Sequence, residues 1–229
     1  MKRVRLLRRR QLLFPTVWGW GVLVLLTLSA AYLCIRSVHS VLAPTRPVDA
    51  QALIVEGWLP DYALEAAVAE FKNGRYHFLI VTGGNLEQGL YFCGYNSYAE
   101  MGAVTIKKLG VDTSLIIPVK SPLVRKDRTY ASAVAMKSWL AKSNPPVRSF
   151  NLFSLGCHSA RSQLLFKKVL GQGYPVGIIA CRDISYDERR WWHSSSGFRE
   201  VVDETVAYLY AMVFYYLHIG KSIEEVPAP

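Results

Sequence analysis

The sequence predicts an α/β protein: a doubly wound, mostly parallel sheet of about five strands with helices on both faces, preceded by one N-terminal transmembrane helix. Three observations carry that expectation. Five short apolar runs alternate with segments of helical spacing, the rhythm of β–α units. The runs are near-continuously apolar, as strands covered on both faces require. Residues 11–35 carry no charged side chain, and about 20 apolar residues suffice to cross a bilayer.

The elements follow in order. Lys2, Arg3, Arg5, Arg8, Arg9 and Arg10 supply six of the net +10 charges, and outside them 21 basic residues face 17 acidic ones. The basicity is therefore largely N-terminal. No basic stripe interleaved with aromatics follows it, so a nucleic-acid partner is not indicated. Trp18, Trp20 and Tyr32 suit the two interfaces of a span at residues 16–36. The Arg cluster assigns residues 1–15 to the cytoplasm and everything after Arg36 to the far side of the inner (plasma) membrane. A cleaved signal peptide is the competing reading. Its best cleavage site, Val41-Leu-Ala43, is followed by Pro44, a poor context.

Residues 37–48, with Pro44 and Pro47, read as a linker, and residues 49–229 as the α/β domain. Ala52–Glu56 is the first strand. A helix from Asp61 to Asn73 follows, with Asp61 a candidate N-cap and Gly74 its stop. His77–Thr82 is the second strand, ended by Gly83-Gly84, and a loop rich in Gly and Tyr leads to a helix near Ser97–Leu109. Ser114–Val119 is the third strand, and Arg128–Lys142 a helix stopped at Asn144-Pro-Pro146. Ser149–Leu155 is the fourth strand, His158–Leu170 its helix, and Tyr174–Cys181 the fifth strand. Phe198–Ile219 reads as a last helix. It is uncharged from Val206 onward and rich in Tyr and Phe, but short for a span.

Cys34 falls in the span. Cys93, Cys157 and Cys181 have no C-x-x-C spacing, so no metal site is indicated. One disulfide is compatible with an extracytoplasmic domain, and small buried hydrophobes at strand ends are the plainer reading.

Ligands of doubly wound proteins bind at the carboxyl ends of the strands, so the polar residues collecting there are the site candidates. They are Glu56; Thr82, Gly83, Gly84 and Asn85; Ser121, Arg128 and Thr129; Ser154, His158 and Arg161. His158 and Arg161 sit one turn apart on one helix face, aimed at whatever lies beyond the strand end. That suits an anion, most simply a phosphate, beside a helix N-terminus. His158 and Glu100 are the groups able to move protons. Each has a plainer role. Gly83-Gly84 forms a tight turn in either case, Ser97 with Glu100 makes a capping box, Asp127 or Thr129 a cap, and the charges at residues 125–128 a solvated run. There is no G-x-G-x-x-G, P-loop or G-x-S-x-G frame.

The series Ala52–Glu56, Val81-Thr-Gly-Gly84, Ser97-Tyr-Ala-Glu100, Arg128-Thr-Tyr-Ala131, Cys157-His-Ser-Ala-Arg161 and Gly197-Phe-Arg-Glu-Val201 resembles the YdcF/SanA/ElyC family of bacterial α/β proteins, the DUF218 group. It departs from that family at Glu56-Gly-Trp58, at Ser132 and at Cys157. The resemblance implies a Rossmann-like fold and a link to cell-envelope biogenesis, peptidoglycan and lipid-carrier metabolism included. It names no reaction and no cofactor. The expectation is a single-pass protein whose domain binds, or hydrolyses, a phosphorylated envelope metabolite or lipid-linked precursor. Glu100 and His158 would be its catalytic pair, and Glu56, Gly83, Gly84, Arg128, Thr129 and Arg161 its ligand contacts. The rival expectation is a non-enzymatic scaffold that holds envelope protein partners through Trp191-Trp192 and the aromatic last helix.

Overall fold

All five strands run parallel in the computed structural model, which describes residues 14–86, 94–124, 126–143 and 147–217, the side chains of 215–217 excepted. They are β1 (Ala52–Glu56), β2 (Phe78–Gly83), β3 (Ile116–Lys120), β4 (Phe150–Leu155) and β5 (Val176–Cys181), in the spatial order β3-β2-β1-β4-β5. The chain winds outward from β1 to β3, then crosses back to β4 and β5. The switch point therefore lies between β1 and β4, where a doubly wound sheet opens its crevice.

The helices are α1 (Val17–Leu42), α2 (Asp61–Asn73), α3 (Tyr98–Lys108), α4 (Arg128–Leu140), α5 (His158–Leu170) and α6 (Ser195–Leu217). On one face of the sheet, Leu53, Val55, Leu79 and Val81 pack with Leu64, Val68 and Phe71 of α2 and Ile106 of α3. On the other, Ile54, Ile80, Leu152 and Ile178 pack with Met136 and Leu140 of α4 and Phe166 and Val169 of α5. Neighbouring strand residues serve opposite layers, which is why the runs read as continuously apolar. Each fully buried side chain of this size contributes about 2 kcal/mol.

Strand edges shift by a residue or two from the sequence reading. Thr113–Leu115 is a 3₁₀ turn, with the Asp112 carboxylate accepting from the Ser114 N–H at 2.9 Å, so β3 starts at Ile116. Its Pro118 is tolerated because β3 is an edge strand. At α2 the N-cap is Pro60, with Asp61 the first helical residue.

Two compact units divide the chain after Ser37. The first holds most of α1, a helix long and apolar enough to cross a membrane. The expected linker is helical up to Leu42, because the first breaker is Pro44, whose predecessor leaves the α region. In the second unit, residues 38–42 pack into the domain: His39 and Leu42 are buried, and His39 Nε2 lies 3.1 Å from the Tyr186 hydroxyl. Arg46 then pairs with Ile178 as an antiparallel bridge on β5. Among the described residues Cys34, Cys157 and Cys181 are free thiols; Cys93, Arg125 and the stop at residues 144–146 lie outside them.

Candidate functional site

Register alone assembles the floor of the site. Ile80, Ile54 and Leu152 form an apolar row facing α4 and α5. Two residues further along, the same face presents Thr82, Glu56 and Ser154; Glu56 is the partner of Thr82, and Ser154 follows Phe153, the partner of Val55. A polar row thus caps the core at the carboxyl end of the sheet. Above it lies a cleft of about 1120 Å³, lined by Lys126 and Asp127 just before α4, by Arg128, Thr129 and Ser132 of α4, by His158 and Arg161 of α5, and by Glu200, Glu204 and Tyr210 of α6.

The β1–β4 side of this cleft is a closed network of charges. Glu56 is 3% exposed and accepts hydrogen bonds from the hydroxyls of Ser154 (to Oε2) and Ser162 (to Oε1, 3.0 Å). Gly156, with φ 42°, turns the chain from β4 into α5, which begins at His158. His158 Nδ1 donates to Glu204 Oε1 at 2.9 Å, while Nε2 lies 3.6 Å from Glu56 Oε1 and 3.4 Å from the Thr129 hydroxyl. Arg161 grips the same Glu204 through Nε to Oε2 (2.8 Å) and Nη2 to Oε1 (2.9 Å). Its Nη2 and His158 Nδ1 stand 2.9 Å apart, two donors converging on one carboxylate oxygen. The Trp58 ring meets the imidazole edge to face, with centroids 5.1 Å apart.

This arrangement fixes the charge states. Burial by itself would lower the His158 pKa, but the nearby Glu56 charge and the hydrogen bond to Glu204 carry it up to about 9. Burial likewise opposes ionisation of Glu204, and hydrogen bonds from Arg161 and His158 overcome that, bringing it down to about 2. Glu56 is held below its ordinary value despite burial, chiefly by the His158 charge. At neutral pH the four groups are two cations and two anions. Glu200, beside Glu204, is raised by burial and by that neighbouring charge.

The β2–β3 side is built differently. Thr82 and Ser121 are 1% and 2% exposed and line the cleft, yet their hydroxyls have no hydrogen-bond partner among the described residues. The side-chain oxygen of Asn85, another lining residue, also has no partner among the described residues. Facing them is the start of α4, whose N-cap residue Asp127 is left-handed (φ 56°) and does not cap the helix with its side chain. A Cβ on Gly84 would come 3.2 Å from Ser121 Oγ, and one on Gly83 would come 2.7 Å from Tyr98 Cβ. Gly83 is therefore required by the close approach of α3, and Gly84 keeps room beside Ser121.

Of the residues expected from sequence, Glu56, Gly83, Gly84, Arg128, Thr129, His158 and Arg161 all line one cleft. Glu100 does not. Its backbone N–H donates to Ser97 Oγ at 3.2 Å and its carboxylate accepts from the Asn96 N–H at 3.1 Å, so it caps α3, and the carboxylates beside His158 are Glu56 and Glu204. Arg161 faces the site as expected, but its Nε and Nη2 are committed to Glu204. Glu204 was not singled out by sequence, and Glu200 only within the Gly197–Val201 motif, not as a site residue. Their signal was an i, i+4 carboxylate pair on the last helix just ahead of its uncharged stretch. Trp191 is buried beside Tyr186 and Val201, so the Trp pair is not an open double-aromatic surface. Among the described residues, no group of three or more His, Cys, Asp and Glu is arranged to hold a metal ion. The chain matches no protein-family model and no curated protein.

Proposed function

We propose that the chain is a membrane-anchored protein of the cell envelope, of YdcF/SanA/ElyC type, whose cleft binds a phosphorylated envelope metabolite or lipid-linked precursor. The observation that carries this reading is the His158 imidazolium at the strand ends: Glu204 accepts from its Nδ1, and its Nε2, 3.6 Å from Glu56 Oε1, also lies 3.4 Å from the Thr129 hydroxyl on the cleft wall. Lys126 and Arg128 line the same cleft. A cation fixed at the switch point of a parallel sheet suits an anionic ligand. His158 is the proton donor of the site and Arg161 a positioning residue. In this reading α1 is the anchor, the basic N-terminus stays in the cytoplasm, and the domain lies outside the inner membrane.

The test uses the full chain in detergent micelles, with inorganic phosphate, a sugar phosphate and a polyprenyl phosphate as probes. Thermal shift and phosphate release are read for wild type and His158→Gln. A stabilising shift lost in the variant is expected, and released phosphate would make the protein a hydrolase. No shift with any probe would contradict the reading. Topology is checked separately with a periplasm-active reporter fused at the carboxyl end.

One observation favours the rival scaffold. Phe198, Val202, Val206, Leu209 and Val213 form an exposed apolar stripe along α6. Substituting that stripe with Ser, with the cleft left intact, separates the two readings by which change abolishes function in cells.

A further inference from the structure

We infer that the ligand's phosphoryl group is seated at the N-terminus of α4, against the hydroxyls of Thr82 and Ser121, and not on the Arg161 guanidinium. The inference rests on the reading of the cleft as a phosphate site and says where in it the phosphoryl group goes. Four observations converge. Thr82 and Ser121 are buried, line the cleft and lack any hydrogen-bond partner among the described residues. A buried hydroxyl without a partner is a cost that a ligand oxygen removes by accepting its proton.

The start of α4 opens on the same space through Lys126, Asp127, Arg128 and Thr129, and its N-cap side chain leaves the helix uncapped. A 13-residue helix offers positive potential at its N-terminus, which favours an external anion there. Gly84 leaves the space beside Ser121 that a Cβ would narrow, its position being 3.2 Å from Ser121 Oγ.

On the opposite wall Glu204 already holds Nε and Nη2 of Arg161 and Nδ1 of His158, so a phosphate arriving there would meet an anion. The two walls adjoin where Glu56 and Thr82 pair in register, and the Thr129 hydroxyl, on the first turn of α4, lies 3.4 Å from His158 Nε2. A phosphoryl group in the seat therefore borders the imidazolium without displacing its carboxylates.

The experiment is isothermal titration of inorganic phosphate into the full chain in detergent micelles, comparing wild type, Thr82→Val/Ser121→Ala and Thr82→Ser, with a thermal melt of each. The double variant should keep its melting temperature and bind phosphate at least about tenfold more weakly, equivalent to about 1.4 kcal/mol. Thr82→Ser should bind as wild type does. Equal affinity in wild type and the double variant would overturn the seat and leave the broader phosphate reading standing. No phosphate binding by wild type would overturn both. Should the double variant melt early, Thr82→Val alone decides by the same comparison.

Discussion

The two walls of the cleft are polar in opposite ways. On the β1–β4 side four charges are paired with one another, Glu56 with His158 and Glu204 with His158 and Arg161, and the serines of β4 and α5 are spent on Glu56. On the β2–β3 side, buried hydroxyls have no partner among the described residues. A paired buried network is expensive to break and has little left to offer a ligand. An unpaired buried hydroxyl costs stability until something arrives to satisfy it. The first wall therefore reads as a frame that fixes one imidazolium, and the second as the receptor.

The hardest blow to this contrast comes from Glu204→Ala. It would strip the Arg161 charge of Glu204 and leave His158 with Glu56 alone, and the expected loss is about 3–5 kcal/mol, read by chemical denaturation. A loss below about 1 kcal/mol would mean that the frame is already solvated.

A pH series sharpens the contrast next. The folded pKa of His158, about 9, lies above the ordinary 6.5, so its contribution is complete below about 6.5 and is lost as the pH rises through 9. That contribution is on the order of 3 kcal/mol. Glu204 works in the other direction: its folded value of about 2 lies below 4.5, so its stabilisation is present above 4.5 and lost as the pH falls through 2. Melting temperature should therefore peak near mildly acidic pH and decline toward alkaline pH, and His158→Gln should flatten the alkaline limb. An unchanged alkaline limb would contradict the pairing.

The receptor wall should respond weakly. Thr82→Val removes an unpaired hydroxyl, and stability should hold or rise by up to about 1 kcal/mol in the same denaturation assay. A loss above about 2 kcal/mol would show that the hydroxyl is bonded. Gly84→Ala is the mildest change, because among the described residues its Cβ meets only Ser121 Oγ, at 3.2 Å. It should cost less than about 1 kcal/mol while weakening phosphate binding.

The same division explains what could be read from sequence. The strands were legible because the central ones are buried on both faces, and their stops at Gly57, Gly83 and Gly156 marked the carboxyl ends where the cleft forms. His158 and Arg161 were legible as a one-turn pair. Their shared target was not: Glu204 arrives on α6, more than 40 residues further along the chain, and only tertiary packing brings it there. An anion was expected between His158 and Arg161, and the protein supplies that anion itself. Glu100 shows the reverse case, where local capping of α3 takes a carboxylate that the cleft was expected to use. The linker was misread for a local reason too, since nothing before Pro44 stops α1. Thr82 and Ser121 stood among the strand-end residues, but whether a hydroxyl has a partner is a property of the folded state alone.

The most direct test of the account is the titration of the His158 imidazole, followed by ¹⁵N NMR of histidine-labelled full-length chain in micelles, with His158→Gln assigning the signal. The account predicts an imidazolium protonated at both nitrogens at neutral pH and titrating near 9. A titration near 6.5, or a neutral ring at pH 7, would mean that Glu56 and Glu204 do not hold it as described, and the cation at the centre of the site would be gone.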